Sequence, residues 1–484
     1  MLEIKNYING ELVGPAEGRY LDNFDPATGQ VYSKVPDSGG VDVERAVDAA
    51  GHAFSAWSRM STAKRSDILL KIADLIEANA DRLARAECID NGKPLSLARS
   101  LDIPRAATNF RFFATRILHS QSESHAMDYS AINYTLRRPR GVAGIISPWN
   151  LPLYLFTWKV APALATGNTV VGKPSEVTPM TAFLFSELCI EAGLPPGVLN
   201  VVHGAGAKAG QALVEHPAVP TISFTGGTKT GGTIAKTAGP LFKKYSLELG
   251  GKNPNVVFAD ADLDKALPGS VRASFANQGQ VCLCGSRLFV EAPIYDSFVE
   301  RFLDASKKLR VGDPLEPDTD QGSLVSKAQF EKVSYYVDLA KEEGGEILLG
   351  GGPPAPISDR CKEGYFFYPT VIAGLGMNCR VNREEIFGPV VAIMPFKNED
   401  EVIEYANATD YGLAASVWTK DIDRAHRVSE RINCGTVWVN CWMLRDLRVP
   451  FGGMKQSGVG REGGEEAMRF FTEPKNVCVA LRDA

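Results

Sequence analysis

Apolar positions follow two rhythms along the 484-residue chain, and the change comes near Gly141. Before it, after a short hairpin-like start, Ile68, Ile72, Leu75, Ile76 and Leu83 return at the spacing that lines one face of a helix, opened by the polar pair Ser61-Thr62. A packing helix is predicted there, within a first hundred residues that are mainly helical. Beyond Gly141, short apolar runs at 142–146, 169–171, 199–202 and 221–224 alternate with helical stretches such as 181–191 and 207–215. Strand-length runs separated by helices predict a parallel sheet with crossover helices, an α/β fold. A second series of strands and helices runs from 255 to about 440. Segments 129–138 and 476–481 carry β-type residues with no place in either series, so pairing with another subunit is the expectation.

A chain of 484 residues is too long for one core, and two or three domains are expected at roughly 100–200 residues each. Hydrophobic residues make up 44% and charged residues 23%, the balance of a soluble globular protein. No signal-peptide core opens the sequence, and Lys159 and two prolines interrupt its most apolar stretch, 151–164, so no membrane partner is expected. A net charge of −5 with interspersed signs offers no basic stripe, which argues against a nucleic-acid partner. Nine cysteines, odd in number and irregularly spaced, outline no disulfide framework, and a reducing, cytoplasmic setting is expected. Cys282 and Cys284 form an isolated C-x-C with neither a second pair nor a nearby histidine, so no metal site is expected.

Ligands of parallel sheets bind beyond the carboxyl ends of the strands, and the chemically capable residues of this chain collect there. The glycine-rich stretch Gly226 to Gly231 lies between a strand and a helix, where it serves either as a tight connection or as a cradle of N–H groups for a diphosphate. It lacks the Gly-Lys-Ser/Thr ending of a Walker loop. Upstream, Gly204 and Gly206 also come after a strand, but Gly210 arrives one position late for the usual dinucleotide fingerprint. Glu176 is suited to ribose hydroxyls and would repel the extra phosphate of NADP, which favours NAD. Lys173 either shares that ribose or is a solvated loop lysine. Cys282 sits between small and polar residues, an odd place for a core thiol, although free cysteine is among the most buried residue types. As a nucleophile it needs a base, an oxyanion donor and an electron acceptor.

Four stretches supply a family context: Pro148-Trp149-Asn150, residues 247–254 (LELGGKNP), residues 275–287 around Cys282, and residues 385–389 (EIFGP). In that order, and over nearly the whole chain, they resemble the motifs of the aldehyde dehydrogenase superfamily. The resemblance implies a Rossmann-type NAD-binding domain over 1–120 and 140–250, an α/β catalytic domain over 251–449, and a small β oligomerisation element from 121–139 and 467–484. It implies a homodimer or homotetramer. Cys282 then attacks an aldehyde to give a thiohemiacetal and, after oxidation, a thioester. Glu248 activates the hydrolytic water, and the Asn150 amide with the Cys282 N–H holds the oxyanion. Outside that context Glu248 would be a strand residue facing solvent, and Glu385 a surface carboxylate. Within it, Glu385 bonds the nicotinamide ribose and Phe387 packs near the nicotinamide. The remaining NAD contacts fall on Ile146, Ser147, Pro148, Trp149, Lys173, Ser175, Glu176, Gly206, Gly210, Phe224, Thr225, Gly226, Gly227, Thr228 and Leu249. Gly227 departs from the many relatives that carry serine there, so backbone alone must serve the diphosphate at that position.

Residues 440–464, with 102–105 and 109–113, are similar to the branch that oxidises 2-aminomuconic and 2-hydroxymuconic 6-semialdehydes. That similarity makes Arg105 and Arg445 the expected ligands of a substrate carboxylate, with Arg111 and Arg448 as weaker matches. Leu155, Trp158 and Phe451 are expected to line the tunnel. The alternatives are a broad-specificity or retinal-type enzyme for apolar aldehydes, an acylating dehydrogenase, which Glu248 argues against, and an inactive structural relative.

Overall fold

The computed structural model describes residues 1–355 and 357–481. Among them, an eight-stranded sheet has the order Gly458–Val459, Lys244–Glu248, Thr221–Thr225, Val142–Ile146, Thr169–Lys173, Leu199–Val201, Asn6–Ile8, Glu11–Val13. The strands from Lys244–Glu248 through Leu199–Val201 are parallel; the antiparallel strand Gly458–Val459 closes one side, and the hairpin of Asn6–Ile8 and Glu11–Val13 closes the other. Val142–Ile146 shows why such strands read as continuous apolar runs: Ala143 and Ile145 enter one hydrophobic cluster while Val142 and Ile146 enter another on the opposite face. The chain builds outward from Val142–Ile146 on one side, then returns to lay Thr221–Thr225 on its other side. The crevice between these two strands is the switch point at which open α/β sheets bind ligands.

The later part of the chain forms a seven-stranded sheet in the order Glu346–Leu349, Thr370–Ala373, Val390–Phe396, Arg287–Glu291, Pro254–Val257, Ala414–Trp418, Thr436–Val439. It is parallel except at its Glu346–Leu349 edge. The two β-type segments left without a place pair with each other: Ala131–Pro139 runs antiparallel to Thr472–Ala480, and Ser124–Met127 completes a three-stranded sheet. Residues 482–484 of the expected oligomerisation segment lie outside the described residues.

The first hundred residues depart from expectation. In place of one short hairpin there are strands at Leu2–Glu3, Asn6–Ile8, Glu11–Val13, Tyr20–Asp25 and Gln30–Pro36. The helix opened by Ser61 spans Thr62–Ala78, and the Ser61 hydroxyl accepts the Lys64 N–H at 3.4 Å. Its stripe buries Ile72 and Ile76, but Leu83 belongs to the next helix, Ala80–Asn91. Asn79 separates them because its side chain caps the Leu75 carbonyl at 2.9 Å and its backbone leaves the helical range.

Candidate active site

At the switch point lies a cavity of about 230 Å³, between the loop 147–151, the turn 225–227 and the Cys282 and Glu385 segments. The helix Thr228–Ala238 begins there with Gly227 as its N-cap and no side chain satisfying its first N–H groups. Those groups and the helix dipole form an anion site. Among the described residues, the buried hydroxyls of Ser147, Thr225 and Thr228 have no hydrogen-bond partner. A Cβ on Gly226 would lie 2.4 Å from the Phe224 ring, so glycine is required by packing; at Gly227 nothing lies within 4 Å. Glycine-rich backbone, unused N–H groups and orphaned hydroxyls fit the diphosphate of a dinucleotide.

Farther along the same carboxyl edge of the sheet, at the ends of Thr169–Lys173 and Leu199–Val201, lie Lys173, Ser175, Glu176, Gly206 and Gly210, which do not line this cavity. The Lys173 ammonium is 2.6 Å from Glu176, whose second oxygen accepts the Gly206 N–H at 3.0 Å. Burial pushes the Glu176 carboxyl up, but Lys173 and these backbone bonds more than offset it and hold it below its ordinary value. Lys173 is therefore no solvated loop lysine; it is buried and paired.

On the inner side, Glu385 accepts the Gly251 N–H at 2.8 Å, and a Cβ on Gly250 would stand 2.3 Å from the same carboxylate. This carboxyl faces the cavity, not the surface. Burial raises its pKa, against the Gly251 N–H, Lys332 and Lys252. Phe387 meets Trp149 edge to face at 5.2 Å and has a left-handed backbone with φ of 61°. Such a conformation costs on the order of 1–3 kcal/mol in a bulky residue. Gln329 holds it, donating to the Phe387 carbonyl at 2.7 Å and to that of Ile386 at 3.2 Å.

Left-handed Asn277, Gln278 and Gly279 turn the chain sharply ahead of Cys282. Asn253 pins the backbone on the far side of that turn, donating to the carbonyls of Cys282 at 2.7 Å and Cys284 at 2.9 Å. Cys282 is half-buried, whereas Cys284 is buried. Burial, Glu385 and Glu248 raise the Cys282 thiol above its ordinary value, while Arg445 pulls it down. Asn150 donates one amide hydrogen to the Gln280 carbonyl at 3.0 Å, which leaves its second hydrogen for a ligand.

Glu248 does not face solvent. Its carboxylate is buried beside Gly452, where a Cβ would stand 3.0 Å from Oε1, and Oε1 is unpartnered among the described residues. Burial and the neighbouring Glu462 push its carboxyl well up, against Lys159, Arg445 and Arg461. Glu462 accepts from Lys159 at 2.6 Å and from the Ser223 hydroxyl at 3.0 Å. Sequence reasoning missed this pair. Its signal was Lys159 itself, a charge within an otherwise buried helix that must have a partner. Gln329 and Lys332, which line the cavity one helical turn apart, were missed as well.

Beyond Cys282, two guanidinium groups flank Trp158. Arg105 lies 5.7 Å from its ring and 5.3 Å from that of Tyr154; Arg445 lies 6.0 Å from Trp158 and 3.8 Å from Phe451. Leu155, half-buried, lies on the same helix face as Trp158. Arg105 donates from Nε to Asn109 at 3.2 Å, while its buried Nη2 is unpartnered. Among the described residues no carboxylate forms an ion pair with either arginine. The weaker matches are occupied elsewhere: Arg111 with Asp74 and Glu77, Arg448 with Asp446.

A dinucleotide-type crevice ending on a cysteine, a buried carboxylate and a free amide defines an oxidoreductase with a thiol at its centre. The aldehyde dehydrogenase family model matches residues 13–477, and the chain belongs to that family. It is 52% identical over 480 residues to the 2-aminomuconic semialdehyde dehydrogenase of Danio rerio, covering 99% of this chain and 98% of that protein. It is 50% identical over 487 residues to the 2-hydroxymuconic semialdehyde dehydrogenase of a Pseudomonas species, covering 99% of this chain and 100% of the other. An aldehyde dehydrogenase from Bacillus cereus, solved as an NAD+ complex, matches with a TM-score of 0.96 and 41% identity over 99% of this chain and 97% of that one. The protein is an enzyme that oxidises aldehydes. No helix among the described residues is long and apolar enough to cross a membrane.

Proposed function

We propose that the enzyme oxidises a carboxylate-bearing semialdehyde, 2-aminomuconate or 2-hydroxymuconate 6-semialdehyde, to the corresponding acid with NAD. The observation carrying the substrate is the pair of guanidinium groups on Trp158 without a carboxylate partner. Two half-buried like charges without a counter-ion favour an anion between them, and an arginine fork suits a carboxylate. The names of the relatives point the same way.

The diphosphate of NAD would rest on the N–H groups of the turn 226–228, with Glu176 and Glu385 at its two riboses and Trp149 and Phe387 beside the nicotinamide. When bound, NAD accepts hydride from the substrate carbon. Cys282, as thiolate, forms a C–S bond to the aldehyde carbon, and the carbonyl electrons move onto oxygen. The free Asn150 amide hydrogen and the Cys282 N–H receive that oxyanion. Its collapse, with loss of hydride, leaves the acyl group on Cys282 as a thioester. Glu248 then takes a proton from water as the water oxygen attacks the acyl carbon. Breaking the C–S bond releases the acid and restores the thiol. Burial and Glu462 raise the Glu248 carboxyl, which makes its carboxylate a stronger proton acceptor than an exposed glutamate. Lys159 and Glu462, paired at 2.6 Å, stand behind it and act on its charge in opposite directions.

Within this reading, residues 1–120 and 140–250 form the cofactor domain, 251–449 the catalytic domain, and 121–139 with the C-terminal segment an oligomerisation element. The strand Gly458–Val459, outside those bounds, joins the cofactor sheet. Exposed Met127 and Val479 on the edge strands of the small sheet support assembly into a homodimer or homotetramer. Free cysteines at nine positions support a cytoplasmic setting. The deciding experiment compares NADH formation from 2-hydroxymuconate semialdehyde and from an uncharged aldehyde of similar length. A clear preference in kcat/KM for the former is expected; equal values would remove the carboxylate proposal in favour of a broad-specificity enzyme.

A further inference from the structure

A second group of buried charges, separate from Cys282, Glu248 and the two arginines, lies behind Asn150. Lys93, Glu87 and Asp102 have fully buried side chains, with the Lys93 ammonium 2.5 Å from Asp102 and 3.8 Å from Glu87. Local structure brings them together. Gly92, at φ of 83°, ends the helix Ala80–Asn91 and turns Lys93 inward, and the π-helical turn Ala98–Asp102 delivers the aspartate. Lys93 also donates to the backbone carbonyl of Asn150 at 3.0 Å. Asn277 donates to that same carbonyl at 3.1 Å and to the Gln280 carbonyl at 3.2 Å. Because the Asn150 amide itself bonds Gln280, its peptide plane and side chain are both tied to the turn that leads into Cys282.

Stability alone does not account for this arrangement. A buried ion pair is often no more stable than apolar side chains of the same volume. What Lys93 adds is a charged donor on the carbonyl of the residue whose amide must meet the oxyanion. A misplacement of about 1 Å at such a donor costs on the order of a hundredfold in rate.

We propose that Lys93, together with Asn277, is a positioning residue that clamps the Asn150 carbonyl and so aims the Asn150 amide at the oxyanion. The inference rests on the reading of Asn150 as oxyanion donor. Since Lys93→Met alone would strand the buried Asp102 carboxylate, whereas burial already pushes the Glu87 carboxyl up and favours its neutral form, the test uses Lys93→Met combined with Asp102→Asn, alongside Asn277→Ala, which removes no charge. Each is measured for kcat, aldehyde KM, NAD affinity by fluorescence titration, and melting temperature. The expected result is a fall in kcat of about ten- to a hundredfold with the other three near wild type. Added to Asn150→Ala, neither change lowers kcat further, because both act through that side chain. A charge-free pair with wild-type kcat, or losses that multiply with that of Asn150→Ala, would overturn the proposal; should that pair not fold, Asn277→Ala decides by the same outcomes. If Asn150→Ala itself turns over at the wild-type rate, the oxyanion reading falls and takes the clamp with it. An inactive Asn150→Ala beside a fully active charge-free pair removes the clamp alone.

Discussion

Arg105→Met separates recognition of a carboxylate from catalysis at Cys282. The guanidinium it removes has a buried, unpartnered Nη2 and is about 5.7 Å from the centre of the Trp158 ring. Burial weighs most against the Arg105 charge, and the like charge of Arg445 adds to it. In the free enzyme the methionine gives up the Nε bond to Asn109 at 3.2 Å and two cation–π contacts but removes a charge that burial disfavours, and it keeps an unbranched apolar stem against the Tyr154 and Trp158 rings. With a semialdehyde carboxylate bound, the same group makes a charge-assisted hydrogen bond, which contributes about 1.5–3 kcal/mol. At about 1.4 kcal/mol per factor of ten, kcat/KM for 2-hydroxymuconate semialdehyde should fall roughly ten- to 150-fold. For an uncharged aldehyde of similar length it should stay within about threefold, because no partner is lost. The assay tracks NADH absorbance with both aldehydes, and thermal melting serves as control, with a midpoint within a few degrees of wild type expected because the lost Asn109 bond and the removed buried charge act in opposite directions. An equal loss for both aldehydes would mean that Arg105 supports the fold of the tunnel, and the carboxylate argument would fail.

Cys282→Ser should abolish oxidation while fluorescence titration shows NAD still bound; Cys284→Ser, buried and away from the cavity lining, should leave kcat within about twofold. Glu462→Gln removes a carboxylate that raises Glu248 and leaves Lys159, which lowers it, without its counter-charge. Both changes favour the Glu248 carboxylate, so the acid limb of the pH–kcat profile should move to lower pH; movement to higher pH would contradict the assignment of that limb to Glu248. Gly250→Ala places a methyl group 2.3 Å from the Glu385 carboxylate and should weaken NAD binding at least tenfold by titration, whereas Gly227→Ser meets open space and should bind NAD at least as well as wild type (tenfold being about 1.4 kcal/mol).

What the sequence made legible was the glycine-rich turn, read from its place between a strand and a helix, and, through the resemblance of the four motifs, Trp149, Cys282, Glu385 and Phe387. Cys282, Glu385, Phe387, Trp149 and the turn 225–227 all line one cavity although they come from distant parts of the chain. Less legible was whatever depends on a remote covering element. Glu248 in an alternating Leu-Glu-Leu reads as solvent-facing until the segment at Gly452 closes over its carboxylate. Lys159 and Glu462 are 303 residues apart, so only the need of a buried charge for a partner hinted at their contact. The early strands failed for a related reason. Asn6–Ile8 is three residues long and pairs with Leu199–Val201, so its extended form is a tertiary property that local periodicity cannot carry. Leu83 misled because a 3.6-residue stripe continues across the break at Asn79, where the following helix happens to keep the phase.

Arg445 links the two halves of the site. Its positive charge lowers both the Cys282 thiol and the Glu248 carboxyl, so in the free enzyme it favours the thiolate needed for attack. A substrate carboxylate seated against Arg445 neutralises much of that field. The Cys282 thiol and the Glu248 carboxyl then both rise further, so the pH at which each loses its proton moves up with the charged substrate and not with an uncharged one. Discrimination should thus extend past binding: at saturating aldehyde, the acid limb of the pH–kcat profile should lie at higher pH for the carboxylate-bearing substrate than for an uncharged one of similar length, and coincident limbs would mean that the carboxylate does not sit against Arg445.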